Sequence, residues 1–294
     1  MNFSEKLLFL QDRINKRIVR DLPASTCKPA RLHEAMNYSM QAGGKRLRPL
    51  LVHAAQEVYP GIHDPIAAGI ALEIIHTYSL IHDDLPAMDD SDLRRGRPAC
   101  HKAYDEATAI LAGDALIPLA FQYLVESYRE APALALDLVH ILAQTAGSEK
   151  LVGGQMMDLL AEGTKPDAQT LSYIHENKTA AMIQASLEMG FRLGEMGDDQ
   201  NKLILIRQAG LRLGLAFQAV DDLLDVTSST EMLGKDAGQD AGNQKITWVV
   251  MLGEKKARKL AEEHTQAAVQ AIEKIGGNNG FLLQLIKSML DRQM

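Results

Sequence analysis

Apolar residues recur at helical spacing along almost all of the 294-residue chain. No region shows several residues of strict apolar/polar alternation bounded by turn signals, so the chain reads as all-α. The pattern predicts helices near 3–20, 29–40, 47–58, 66–82, 101–127, 131–146, 148–161, 168–194, 200–226, 254–275 and 280–291. Pro65 behind the acidic Asp64 suits the start of the fourth of these, which runs apolar to His82 and points its C-terminal end at the acidic string DDLPAMDD. With no linker, low-complexity segment or repeat of solenoid period, residues 1–294 are expected to form one helical domain.

Composition limits the function classes. Hydrophobic residues make up 46% of the chain, enough for a substantial core without staples. The two cysteines, Cys27 and Cys100, stand far apart in no metal-ligand spacing, which fits a reducing cytoplasm. The first ten residues lack the basic start, long apolar run and small-residue cleavage site of a signal peptide. Leu203 to Val220 is interrupted by Arg207, Gln208 and Arg212 and reads as a core helix, not a membrane span. A net charge of −7 argues against nucleic acid as a partner. An anionic ligand must then be held by local basic clusters or by metal ions.

Several chemistries lose their usual signatures. Gly43-Gly44-Lys45-Arg46 and Gly234-Lys235-Asp236 lack the upstream glycine and following Ser/Thr of a P-loop. A Rossmann fingerprint, a G-x-S-x-G elbow and an H-E-x-x-H pair are all missing.

Two acidic clusters remain. In the first, Asp83-Asp84-Leu85-Pro86-Ala87-Met88-Asp89-Asp90, a regular helix would turn Asp83 and Asp89 about 120° apart. Pro86 makes a regular helix improbable and a bend there can bring the two carboxylates together; taken alone, the string also fits a solvated acidic loop. In the second, Gln218, Asp221 and Asp225 share one face of an apolar helix, with Asp222 flanking them. So many carboxylates on so apolar a helix are costly unless cations or deep solvent meet them. Both clusters suit Mg²⁺ ions that take one or two carboxylates each and leave their other positions to water and phosphate oxygens. The basic strings GGKRLRP at 43–49 and RRGRP at 94–98 supply guanidinium forks for such phosphates.

GGKRLRP, LIHDDLPAMDDSDLRRGRP, GGQMMDL, NKT and FQAVDDLLD, in this order and spacing, resemble the trans-isoprenyl diphosphate synthases from about residue 40 to 250. The two-residue expansion in DDLPAMD resembles the short-chain bacterial farnesyl diphosphate synthase subgroup. The resemblance implies a helical bundle around a deep central cleft, a homodimer, and condensation of isopentenyl diphosphate with dimethylallyl and geranyl diphosphate to farnesyl diphosphate. It implies three Mg²⁺ ions, with Asp83 and Asp89 holding two and Asp221 the third. Arg94, Lys178 and Lys235, with Lys245, would contact the allylic diphosphate; Lys45, Arg48, His76 and Arg95 would bind that of isopentenyl diphosphate; Thr179 and Gln218 would line the site. Tyr78 and Ser79, one turn before the first aspartate motif, would bound the growing chain, with Tyr78 as its floor. Two departures from the family pattern stand out: Ala180 where glycine is frequent, and Gln244 to Val249 in place of a GK-x-TYP string.

Other functions compatible with parts of this pattern are a geranyl or geranylgeranyl diphosphate synthase, a class I terpene cyclase, a metal phosphohydrolase and a catalytically silent subunit of a prenyl synthase. A cyclase would not need GGKRLRP or the second aspartate motif, a phosphohydrolase would need further separated His/Asp ligands, and a silent subunit could lose an aspartate motif.

Overall fold

In the computed structural model, residues 1–164, 167–227 and 247–290 are described. Among them α1 spans Phe3–Asp21, α2 Ala30–Met40, α3 Leu47–Gln56 and α4 Pro65–Asp83. A two-stranded ribbon, β1 Leu93–Arg94 and β2 Arg97–Pro98, follows. Then come α5 Cys100–Ala103, α6 Glu106–Ser127, α7 Pro132–Ala146, α8 Leu151–Ala161, α9 Ala168–Ile174, a π-helical turn His175–Ala180, α10 Ala181–Arg192 and α11 Gln200–Thr227. The described chain ends with α12 Trp248–Leu252, α13 Glu254–Ile275 and α14 Gly280–Leu290.

Local chemistry accounts for the boundaries. Asn2 and Glu5 cap α1 reciprocally, and Asp64 accepts the Ile66 amide at the start of α4, where Pro65 needs no hydrogen bond. The span expected as one helix over 101–127 is broken at Tyr104, because Asp105 caps a new start by accepting the Thr108 amide at 2.7 Å. The span expected over 168–194 is continuous but wound wider between His175 and Ala180. Two elements were not expected: the β ribbon, turned by Arg95 and Gly96 with φ of 53° and 73°, and α12, capped by Thr247. Positive φ at both centres of a two-residue turn matches the right-handed twist of the strands.

One buried cluster runs from Leu10 to Met289 and takes in α3, α4, α6, α10 and α11. Helix α4 lies between α3 and α6, while α11 packs against α10 and α13. Within α11, Leu203, Ile206, Ala209, Leu213, Ala216 and Ala219 are buried, so the apolar stretch noted in the sequence is a core helix. By length and composition alone, Glu106–Ser127 and Gln200–Val226 could cross a membrane; burial reaches 33% and 56% of their most apolar windows.

Two glycines bring the walls of the central cavity together. A Cβ on Gly154 of α8 would stand 2.4 Å from the Lys178 amide nitrogen, and one on Gly214 of α11 would stand 2.3 Å from the Ala180 Cα. The π turn is thus clamped between two helices at backbone distance. Ala180 is itself fully buried there, and Gly214 supplies the space that its methyl occupies.

Candidate active site

Helix α4 cannot continue past Asp83, since Pro86 lacks an amide proton and its ring excludes the preceding turn. The chain folds back so that the Asp89 amide donates to the Asp83 carbonyl at 2.9 Å. That reversal puts both aspartates on one cavity of about 230 Å³, as the bend at Pro86 led one to expect. Asp221 and Asp222 reach it from α11, Lys178 and Thr179 from the π turn, Asp158 from α8, Arg94 from the ribbon, Arg48 from α3, and His76 and Ser79 from α4. Leu80, Met182 and Phe217 line its apolar part.

The cations are oriented by carboxylates, half-buried beside Lys178 and fully buried beside Arg94. Lys178 Nζ lies 2.7 Å from Asp158 and 4.0 Å from Asp83. Arg94 Nε donates to Asp84 at 3.0 Å and its Nη2 bonds the same carboxylate, which is 2% exposed. Burial drives the Asp84 carboxyl up despite this partner, while the Arg94 guanidinium, pulled down by burial, is raised on balance by Asp84. Arg48 keeps some exposure to the cavity; burial first and Arg95 second bring it down to about 10, against the pull of Glu73. His76 is held neutral by burial and by Arg48, Arg95 and Arg94 around it.

A polar chain joins three elements across the cavity. Thr179 Oγ1 donates to Gln218 Oε1 at 2.8 Å, Gln218 Nε2 donates to Asp222 Oδ1 at 2.9 Å, and the Trp248 amide donates to Asp222 Oδ2 at 2.8 Å. Asp222 is buried, so it anchors α12 and orients Gln218, whereas Asp221 is exposed to the cavity. Within the second acidic cluster Asp222 thus borders the cavity as a buried anchor, Asp221 is open to it, and Asp225, expected on the same face as Asp221, is buried and does not line it.

Some expected residues stand elsewhere. Arg95 lines a smaller neighbouring cavity beside Arg94 and Cys100. Lys45 is exposed and does not line the main cavity. Tyr78 is buried with its ring edge-on to His82, 5.8 Å between centroids, and is not among the lining residues, whereas Ser79 is. Lys235 and Lys245 lie outside the described residues. Sequence reasoning gave no role to Asp158, His175 or Glu73, and it placed Asp222 in the second acidic cluster without separating it from Asp221. For Glu73 a signal existed: a lone carboxylate within the apolar run from Ile66 to Ile75 demands a buried partner.

The donors facing the cavity from both acidic clusters are hard carboxylate oxygens, which suit Mg²⁺. Among the described residues no three carboxylates or imidazoles converge closely enough to hold a metal alone. A cation completed by substrate phosphate oxygens fits such a set.

The chain belongs to the polyprenyl synthetase family, whose profile matches residues 29–279. Its fold is that of isoprenyl diphosphate synthases, and the protein is a trans-prenyl synthase. It is 41% identical over 275 residues to the farnesyl diphosphate synthase of Haemophilus influenzae, covering 93% of each chain. It is 42% identical over 276 residues to the chloroplastic geranylgeranyl pyrophosphate synthase 9 of Arabidopsis thaliana, covering 92% of this chain and 76% of that one. The crystal structure of a Helicobacter pylori geranyltransferase complexed with magnesium and isoprenyl diphosphate superposes with a TM-score of 0.86 at 30% identity, covering 99% and 97% of the two chains.

Proposed function

We propose that the protein condenses isopentenyl diphosphate with dimethylallyl diphosphate and then geranyl diphosphate, with farnesyl diphosphate as product. The observation that carries this is one cavity lined together by Asp83, Asp89 and Asp221, by Arg94, Lys178, Arg48 and His76, and by the apolar Leu80, Met182 and Phe217. Carboxylates, cations and an apolar recess are what a diphosphate with a prenyl tail requires.

Asp83 and Asp89 would hold two Mg²⁺ ions and Asp221 a third. Bound there, Mg²⁺ supplies Lewis-acid stabilisation of the negative charge that grows on a departing diphosphate. Lys178 and Arg94 add cationic contacts to the allylic diphosphate. The allylic C–O bond breaks with its electron pair on the diphosphate, the isopentenyl double bond attacks the allylic carbon to form the new C–C bond, and a proton leaves to the released diphosphate. Arg48, His76, Arg95 and Lys45 hold the second diphosphate. A neutral imidazole suits His76, because it can donate one hydrogen bond to phosphate without adding charge to a pocket already rich in arginine.

A twenty-carbon product is the second reading, favoured by the absence of Tyr78 from the cavity lining and by the similarity to the Arabidopsis enzyme. Labelled isopentenyl diphosphate supplied with each allylic primer, with chromatography of the dephosphorylated products, separates the two. A fifteen-carbon alcohol is expected; a twenty-carbon alcohol as the main product refutes the proposed specificity, and no condensation refutes the reaction. The proposal includes a cytoplasmic homodimer, a state in keeping with the exposed apolar side chains of Leu111 and Val125 on α6 and Leu136 on α7.

A further inference from the structure

Three non-glycine residues among the described ones have positive φ: Arg46 at 51°, Asp90 at 46° and Arg95 at 53°. Left-handed backbone is unfavourable for a long side chain and persists where surrounding contacts impose it. The two arginines stand in different segments, Arg46 immediately before α3 and Arg95 at the turn of the ribbon, yet both guanidiniums reach the same oxygen. Arg46 Nη1 lies 2.9 Å from Glu73 Oε1 and Arg95 Nη2 lies 3.8 Å from it.

Glu73 is 1% exposed in the middle of α4, three residues before His76. Its surroundings are built in detail. Arg46 also donates to Asn15 Oδ1 at 2.8 Å and to the Met40 carbonyl at 2.7 Å, so it is fully engaged and buried. Arg95 Nη1 donates to the Gly43 carbonyl at 2.5 Å, and Gly44 leaves the guanidinium room, since a Cβ there would stand 2.7 Å from Arg95 Cζ. Arg48 feels the same carboxylate, and its Nε is buried with no hydrogen-bond partner. One carboxylate therefore serves three arginines. Arg46 is consumed by the fold, while Arg95 and Arg48 keep donors that an incoming anion can take.

We infer that Glu73 is a positioning residue for the isopentenyl diphosphate pocket: through Oε1 it ties Arg95 to the rigid Arg46 and aims the Arg95 fork at the diphosphate without touching the substrate. The inference rests on the assignment of Arg95 to that pocket. Two effects compete when the charge is removed. Loss of a nearby carboxylate leaves the pocket more positive, which by itself tightens an anion. Loss of orientation weakens it, because bidentate phosphate binding by guanidinium depends on a fixed fork. The Gly43 carbonyl already holds Arg95 Nη1 and Asp84 holds the neighbouring Arg94, so one edge of the Arg95 fork is fixed; at 3.8 Å Glu73 sets the other edge, Nη2, without saturating it, so the orientation effect governs.

The test is steady-state kinetics of Glu73→Gln, which keeps the side-chain shape and the Oε1 acceptor for Arg46. The KM for isopentenyl diphosphate should rise about tenfold, the size of one lost hydrogen bond to a charged group. The KM for geranyl diphosphate and kcat at saturation should stay within about twofold. Should thermal unfolding show that Glu73→Gln has lost its fold, the double variant Glu73→Gln/Arg46→Gln, free of an unpaired buried charge, must show the same selective rise. An unchanged or lowered KM for isopentenyl diphosphate, or equal rises for both substrates, overturns the inference, as does recovery of the KM in the double variant, which would reduce Glu73 to a counter-ion for Arg46. Arg95→Ala is the control. If it raises that KM and Glu73→Gln does not, the inference fails alone; if neither does, the pocket assignment fails with it.

Discussion

The Lys178 ammonium is bonded to Asp158 at 2.7 Å while Asp83 stands 4.0 Å from it. A lysine so placed belongs to neither aspartate motif and is oriented by the third acidic element, GGQMMD. Gly154 makes this possible by letting α8 touch the backbone of the π turn.

Asp158→Asn should accordingly lower kcat about tenfold with little change in the KM for isopentenyl diphosphate, because Lys178 loses its anchor and its charged partner but not its own charge. Single-turnover rates with geranyl diphosphate at saturating isopentenyl diphosphate measure this. A rise in the isopentenyl KM with unchanged kcat would assign Asp158 to the other pocket.

Activity should require Mg²⁺ and vanish with a chelator. Asp83→Ala and Asp221→Ala should each lower it by about a hundredfold or more while far-UV circular dichroism stays helical, since both carboxylates face the cavity and neither fills the core. Asp222→Ala should differ from Asp221→Ala by losing thermal stability as well, because it leaves Gln218 and the Trp248 amide without their acceptor. Near-normal turnover in Asp83→Ala would remove the metal assignment.

Product length should respond to Ser79 and Tyr78 in opposite directions. Ser79 lines the cavity, so Ser79→Phe should fill it and shift products towards ten carbons. Tyr78→Ala removes the ring packed against His82 and lets the cavity extend between α4 and α6, shifting products towards twenty carbons. Chromatography of dephosphorylated products reads both. If Tyr78→Ala is active and its chain length is unchanged, the floor lies among Met182, Phe217 and their neighbours.

His175 supplies a pH test of the fold around the π turn. Burial lowers its imidazole from 6.5 to about 4, with Asp158 opposing and Lys178 reinforcing the shift. Between those values the unfolded chain binds a proton that the folded one does not, so stability is full above pH 6.5 and falls as pH drops towards 4. The contribution is at most about 3 kcal/mol. Denaturant unfolding from pH 4 to 7 should show a shallower acid loss in His175→Gln than in the wild type; parallel profiles would mean that His175 does not carry the effect.

Helical class and the two aspartate motifs were legible in the sequence, because both rest on short-range chemistry. Periodicity decides which face of a helix is apolar, and Pro86 must end α4 whatever packs around it. The break at Tyr104 and the ribbon at 93–98 were not, since a single cap or a two-residue turn is too short to shift a periodic pattern. Nor could spacing assign the second cluster: Asp221 and Asp222 are adjacent and chemically equal, and only the position of Trp248 makes one a buried anchor and leaves the other to the cavity. The same holds for Arg46 and Arg95, 49 positions apart in number yet joined through Glu73. The ionisable groups and their local spacing were set by the amino-acid sequence alone. Which of them are buried, paired or left for substrate was decided by the tertiary structure, because the energy of a charge depends on the dielectric and the counter-charges that distant segments bring to it.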